Sequence, residues 1–123
     1  MIHLDTNFVV RALIPGTPED VQLQKWIRAR EPLGVAALVW GEFVCGPVTP
    51  SQIAHAAVVL GEPVVLDRQT AEAGASLFNA SGRRRGTLVD CFIAATAMRA
   101  GASLATKNTR DFRRLVPAGL VLA

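Results

Sequence analysis

Two cysteines and two histidines are all that this 123-residue chain could offer a soft or borderline metal. Cys45 and Cys91 form no CxxC pair, and His3 and His55 stand alone. The ligand spacing of a zinc site is therefore missing. Both cysteines sit in apolar company, as expected of buried, reduced thiols in a reducing compartment, so a cytoplasmic location is expected. No apolar run reaches the roughly 18 residues of a membrane span. The opening MIHLDTN has no basic flank followed by an apolar segment, so no secretory signal is expected. Repeats, low-complexity tracts and separating linkers are also missing, and one domain over residues 1–123 is expected.

Charge is modest. Charged residues make up 19% of the chain and the net charge is +3. That total is weak evidence for a nucleic-acid partner, but its distribution says more. Arg83, Arg84 and Arg85 run together, and Lys107, Arg110, Arg113 and Arg114 follow. The C-terminal third is thus basic, yet it contains Asp90 and Asp111. Half of the residues are hydrophobic, a globular composition rather than a disordered one. At this size roughly two-thirds of the unfolded surface can be buried.

Apolar runs predict strands at Ile2–Leu4, Gly34–Leu38, Pro63–Leu66, Ser103–Ala105 and Leu120–Leu122. Between them, helical spacing and Pro or Gly punctuation predict helices. These follow Asp5, start at Pro18, span Trp40–Cys45, run from Thr49 to Gly61 and from Thr70 to Ala80, and span Thr87–Gly101. Strand runs that are apolar without alternation fit a parallel sheet of about five strands, covered on both faces.

Acids fall where such a sheet binds ligands, beyond the carboxyl ends of its strands. Asp5 follows the first strand, Glu42 the second, and Asp111 lies a few residues past Ser103–Ala105. Asp90 lies in the first turn of TLVDCFIAATAMRAG, on the face of Ile93, Ala94 and Ala97 and opposite Arg99. If the first strand and Ser103–Ala105 are neighbours, all four acids can converge. Each acid also has a local explanation. Asp5 could cap a helix, Asp90 could close a capping box with Thr87, and Glu42 and Asp111 could favour helix N-termini. Together they would repel one another and raise each other's pKa unless a cation sat among them. Oxygen ligands without His or Cys suit Mg²⁺ or Mn²⁺ better than Zn²⁺. Thr6, Thr106 and Asn108 are short polar groups placed to support the acids or orient a water. Arg83, Arg84, Arg85, Lys107 and Arg110 are candidates for phosphate contact.

Four segments resemble the PIN-domain ribonucleases of the VapC toxin type. These are Ile2-His-Leu-Asp-Thr-Asn-Phe8, Glu42-Phe-Val-Cys-Gly46, Asp90-Cys-Phe-Ile-Ala-Ala-Thr-Ala97 and Thr106-Lys-Asn-Thr-Arg-Asp-Phe112. The third is similar to D-x-x-I-A-A-x-A and the fourth to T-x-N-x-x-D-F. Ala36 and Val39 stand where relatives often carry hydroxyls. The resemblance implies a three-layer α/β/α sandwich with Asp5, Glu42, Asp90 and Asp111 as catalytic, metal-holding acids. It implies Mg²⁺- or Mn²⁺-dependent endoribonuclease activity on tRNA or rRNA, with metal-activated water as nucleophile. It further implies a homodimer and a small antitoxin partner of VapB type. Two rival expectations differ in class. One is a receiver-type signalling module with Asp67 as phosphoacceptor. The other is a PIN-like domain that binds RNA or a partner without cutting.

Overall fold

A computed structural model describes residues 1–123. Its sheet contains three short parallel strands: β1 (Ile2–Leu4), β2 (Leu33–Gly34) and β3 (Ser103–Ala105). Their order is β2-β1-β3, with His3 opposite Gly34 on one side and Leu104 on the other. One-residue parallel bridges extend both edges, Ala36 to Val64 beyond β2 and Leu104 to Leu122 beyond β3. The five expected strands are therefore three strands and two bridges. The predicted second strand at Gly34–Leu38 begins earlier and stops sooner. Ala37 N–H donates to the Val64 carbonyl (2.8 Å) and is already the first residue of a helix. The predicted Pro63–Leu66 strand is reduced to Val64. Pro63 lacks a donor, and the chain then turns outward, leaving Val65 69% exposed.

Seven helices surround the sheet: α1 (Thr6–Ala12), α2 (Pro18–Arg28), α3 (Ala37–Val44), α4 (Pro50–Leu60), α5 (Arg68–Ala80), α6 (Leu88–Arg99) and α7 (Thr109–Phe112). A 3-10 turn follows at Arg113–Ala118. Legible starts have legible chemistry. Thr17 caps α2 ahead of Pro18, Thr49 and Gln52 close a capping box on α4, and Asp67 caps α5 by accepting from Thr70 N–H (2.8 Å). The start of α3 has no capping side chain, which is why the sequence suggests Trp40 and not Ala37. None of these helices is long and apolar enough to cross a membrane.

All three β1 residues are buried, so both faces of the central strand are covered. A core of 24 buried hydrophobic residues runs through the sheet and the surrounding helices. Helix α6 contributes Ile93 together with Cys91, Ala94, Ala95 and Ala97, and the small side chains of these last four allow close approach. His3 is 2% exposed and lies against Gly34, where a Cβ would come 2.8 Å from Nε2. Neither imidazole nitrogen has a partner, and burial holds its pKa below the ordinary value, so the ring packs as a neutral group. Cys91 is buried as expected, but Cys45 is exposed. It occupies the C-cap of α3, where the chain turns away at Gly46-Pro47.

Helix α5 meets α6 through Gly74. A Cβ there would lie 2.3 Å from Phe92 Cδ1 and 3.3 Å from Phe92 Cα. Alanine has a helix propensity about 1 kcal/mol better than glycine, but overpacking costs about 1–3 kcal/mol. Gly74→Ala is therefore expected to lower stability by about 1 kcal/mol in urea unfolding. Pairing it with Phe92→Leu should recover part of that loss. A plain gain in stability from Gly74→Ala would show that the two helices are not in close contact.

Candidate active site

Strand order reverses at β1, since the chain passes to β2 on one side and to β3 on the other. The crevice of such a sheet opens at the carboxyl ends of its strands. Asp5 enters it directly from β1. Its N–H donates to the Ala105 carbonyl at the end of β3 (2.9 Å), and Thr106 Oγ1 donates to Asp5 Oδ2 (2.8 Å). Asp5 is 6% exposed. Burial raises its pKa, and the bond from Thr106 partly opposes that rise. The Asp5 side chain makes no capping bond to α1.

Glu42 sits within α3, farther from β2 than the sequence suggests, and its Oε1 accepts from Thr6 Oγ1 on α1 (2.9 Å). Thr6 thus supplies a hydroxyl that neither Ala36 nor Val39 can. Asp111 lies on α7, and Asn108 Nδ2 donates to its Oδ2 (2.8 Å). Thr106 Oγ1 in turn accepts from Asn108 N–H (2.9 Å). Thr6, Thr106 and Asn108 therefore support three different acids.

Asp90 is the exception. Its side chain makes no hydrogen bond and no ion pair within the chain. The capping box is not formed, because Thr87 Oγ1 donates instead to the Arg84 carbonyl (2.6 Å). The Asp90 pKa is raised from 3.8 to about 6, first by burial and then by the charges of Asp5, Asp111 and Glu42; Arg114 opposes the shift. The charges of the other three expected acids thus reach Asp90. As they stand, no three acidic, His or Cys side chains are arranged to grip one ion. The local donors are carboxylate oxygens carrying uncompensated charge, a set that fits a hard divalent cation. The largest cleft, about 470 Å³, lies beside Phe8 and Trp26 and reaches Thr106 but none of the four acids.

The basic residues divide. Lys107 is committed to an ion pair with the buried Glu19 (Nζ–Oε1 2.9 Å), which Arg11 also approaches at 3.6 Å. It is therefore a tether between the β3–α7 loop and α2, not a free phosphate contact. Arg83 hydrogen bonds the Asn79 side chain and lies 5.2 Å over the Phe78 ring, so its guanidinium folds back on the last turn of α5. Arg85 is exposed. Arg84 and Arg110 line a polar cleft beside Asp111, joined there by Arg114, which the sequence reading left out of the site. Its position three residues after Asp111, one helical turn on, was the available signal. Glu19 gave no signal, because its partner lies far along the chain. Asp67 spends its carboxylate capping α5 and so is not a free phosphoacceptor, which removes the receiver reading.

The PIN domain family model matches residues 2–116. No curated protein matches the chain at a significant level. Among solved structures, VapBC2 from Rickettsia felis bound to a promoter DNA fragment aligns with TM-score 0.77 and 20% identity, over 100% of this chain and 98% of that one. FitAcB from Neisseria gonorrhoeae aligns with TM-score 0.70 and 22% identity, over 99% and 96%. The sarcin–ricin loop cleaving toxin VapC20 from Mycobacterium tuberculosis aligns with TM-score 0.68 and 17% identity, over 100% and 98%. With the strand order, the crevice and a family match over nearly its whole length, the chain belongs to the PIN domain family.

Proposed function

We propose that this chain is a metal-dependent endoribonuclease, and the toxin of a toxin–antitoxin pair with a small VapB-type antitoxin. The observation that carries the nuclease reading is Asp90, a half-buried carboxylate with no side-chain partner, whose pKa burial and then three other acids raise to about 6. A protein keeps such repulsion where function uses it. The toxin reading rests on the solved neighbours, which include toxin–antitoxin complexes and an RNA-cleaving toxin.

Asp5, Glu42, Asp90 and Asp111 would hold Mg²⁺ or Mn²⁺. When bound, such an ion supplies a water acidic enough to attack a phosphodiester and positive charge for the leaving oxygen. The chain's own groups set the frame. Thr106 and Thr6 fix the oxygens of Asp5 and Glu42, while Asn108 fixes Asp111. Asp90 must be ionised to act as a ligand, so metal binding competes with its proton and weakens as the pH falls below about 6. Basic side chains around the crevice hold the RNA backbone against the acids' repulsion. In-line attack by water without use of the 2′-hydroxyl leaves a 5′-phosphate and a 3′-hydroxyl. A homodimer is part of the same proposal.

Cleavage of tRNA or rRNA in Mg²⁺ or Mn²⁺ should stop in EDTA. Asp5→Asn and Asp90→Asn should each lower kcat by at least about 100-fold, corresponding to ~3 kcal/mol of lost charge stabilisation, with folding intact. Wild-type activity that persists in EDTA, or survives Asp90→Asn, contradicts the reading. Thr106→Val removes only the brace on Asp5 and should lower activity or metal affinity by about 10–100-fold. An effect on stability alone would make Thr106 a structural residue.

Asp90 also couples the site to stability. Its folded pKa, about 6, exceeds the unfolded value of 3.8. The folded state therefore binds this proton more tightly, and ionisation destabilises it. The penalty is absent below pH 3.8, grows towards pH 6 and is complete above it. In chelator above that range, Asp90→Asn should stabilise the fold by on the order of 1–2 kcal/mol, allowing for solvent screening of a half-exposed group. The gain should vanish in acid. Mg²⁺ should raise the Tm of wild type more than that of the variant. A variant less stable than wild type at pH 7–8 in EDTA would contradict the repulsion argument.

A further inference from the structure

Beside the acids, the 82–86 loop and α7 enclose an open cleft of about 410 Å³. It is lined by Arg84, Asn108, Arg110, Asp111 and Arg114, with no hydrophobic residue among them. Three guanidinium groups thus face one small space against a single carboxylate. Asp111 and Arg114 also line the narrow pocket that contains Asp90, so cleft and acid cluster share a wall.

Arg114 is the hinge of this arrangement. Its Nε donates to the Asp111 carbonyl (3.2 Å), and its Nη2 lies 3.9 Å from Asp111 Oδ1. Its side chain is 25% exposed, so it is better held than a free surface arginine. Arg84 and Arg110 are exposed and make no ion pair with any acid of the chain. Their positive charge is therefore available to a ligand. Guanidinium groups converging on a polar cleft match a tetrahedral phosphate group, to whose two non-bridging oxygens arginine can donate two parallel hydrogen bonds.

We propose that this cleft is a second phosphate subsite, in which Arg84, Arg110 and Arg114 hold the RNA backbone phosphate next to the one that is cut. Arg114 is braced there by Asp111. The assignment rests on the nuclease reading for its register, because the shared wall sets the held phosphate beside the acids. It gives Asp111 a positioning role through Arg114 in addition to any role at a metal. It also separates the arginines of the loop: Arg84 binds, while Arg83 is committed to Asn79 and Phe78.

The test is equilibrium binding of a short single-stranded RNA in EDTA, across a range of salt, by wild type, Arg84→Gln, Arg110→Gln and Arg114→Gln. Arg28→Gln, at the far end of α2, is the charge-matched control. Each cleft variant should bind more weakly and lower the slope of log K against log salt by about 0.7, the value for one lost contact on a single strand. Arg114→Lys should restore the slope but not the full affinity, because lysine keeps the charge and loses the planar fork. Arg28→Gln should match wild type. If Arg114→Gln fails to fold, the two exposed arginines carry the test alone. Slopes unchanged in the cleft variants, equal losses in Arg28→Gln, or no RNA binding by wild type would overturn the proposal, including the case in which an acidic protein partner occupies the cleft. Cleavage in Mg²⁺ is scored separately. Its absence in wild type strikes the nuclease reading while the binding result stands.

Discussion

Burial of carboxylates beside one another at the end of β1 is the constraint around which this structure is organised. Asp5, Glu42, Asp90 and Asp111 come from four separate segments, and burial followed by the charges of the other three raises Asp90 to about 6. A fold selected for stability alone would disperse those charges or pair them. Three of the acids are steadied by short polar side chains, and none of the four is fully neutralised. The Arg114 guanidinium, 3.9 Å from Oδ1, is the internal counter-charge to Asp111.

The remaining architecture can be understood as holding that unfavourable arrangement in place. Parallel pairing of β1 with β3 sets Asp5 beside Thr106, across 101 residues of chain. The Lys107–Glu19 ion pair tethers the same loop to α2. Lys107 holds the Glu19 carboxyl below its usual pKa range, so this pair stays charged while Asp90 is pushed the other way. The small residues of α6 let the helix carrying Asp90 sink into the core, and Gly74 lets α5 close over it. Burial and loop anchoring together keep the carboxylates from relaxing apart.

Much of this was readable from the residues. Short apolar runs at Ile2–Leu4 and Ser103–Ala105 gave two of the three strands, because fully buried parallel strands carry no competing pattern. Helices with a threonine cap and a proline in the first turn announced themselves, whereas α5 begins two residues before the expected Thr70, behind its Asp67 cap. Where the start was apolar, as in α3, or where an edge strand shrank to one bridge, local sequence held no marker. The acids stood out because a carboxylate on an apolar helical face needs a reason. Their partners were harder: Thr6 reaches Glu42 36 residues away, and Lys107 is spent on Glu19. Such long-range pairings are products of topology, so counting basic residues overstated the positive surface at Lys107 and Arg83 and did not bring Arg114 to the site.

The most direct measurement of the central claim is the carboxyl titration of Asp90, followed by carbon-13 NMR in the intact protein. In chelator the account requires a midpoint near 6, falling sharply when Mg²⁺ is added. A midpoint near 3.8 in chelator, or one that Mg²⁺ leaves unmoved, would contradict it.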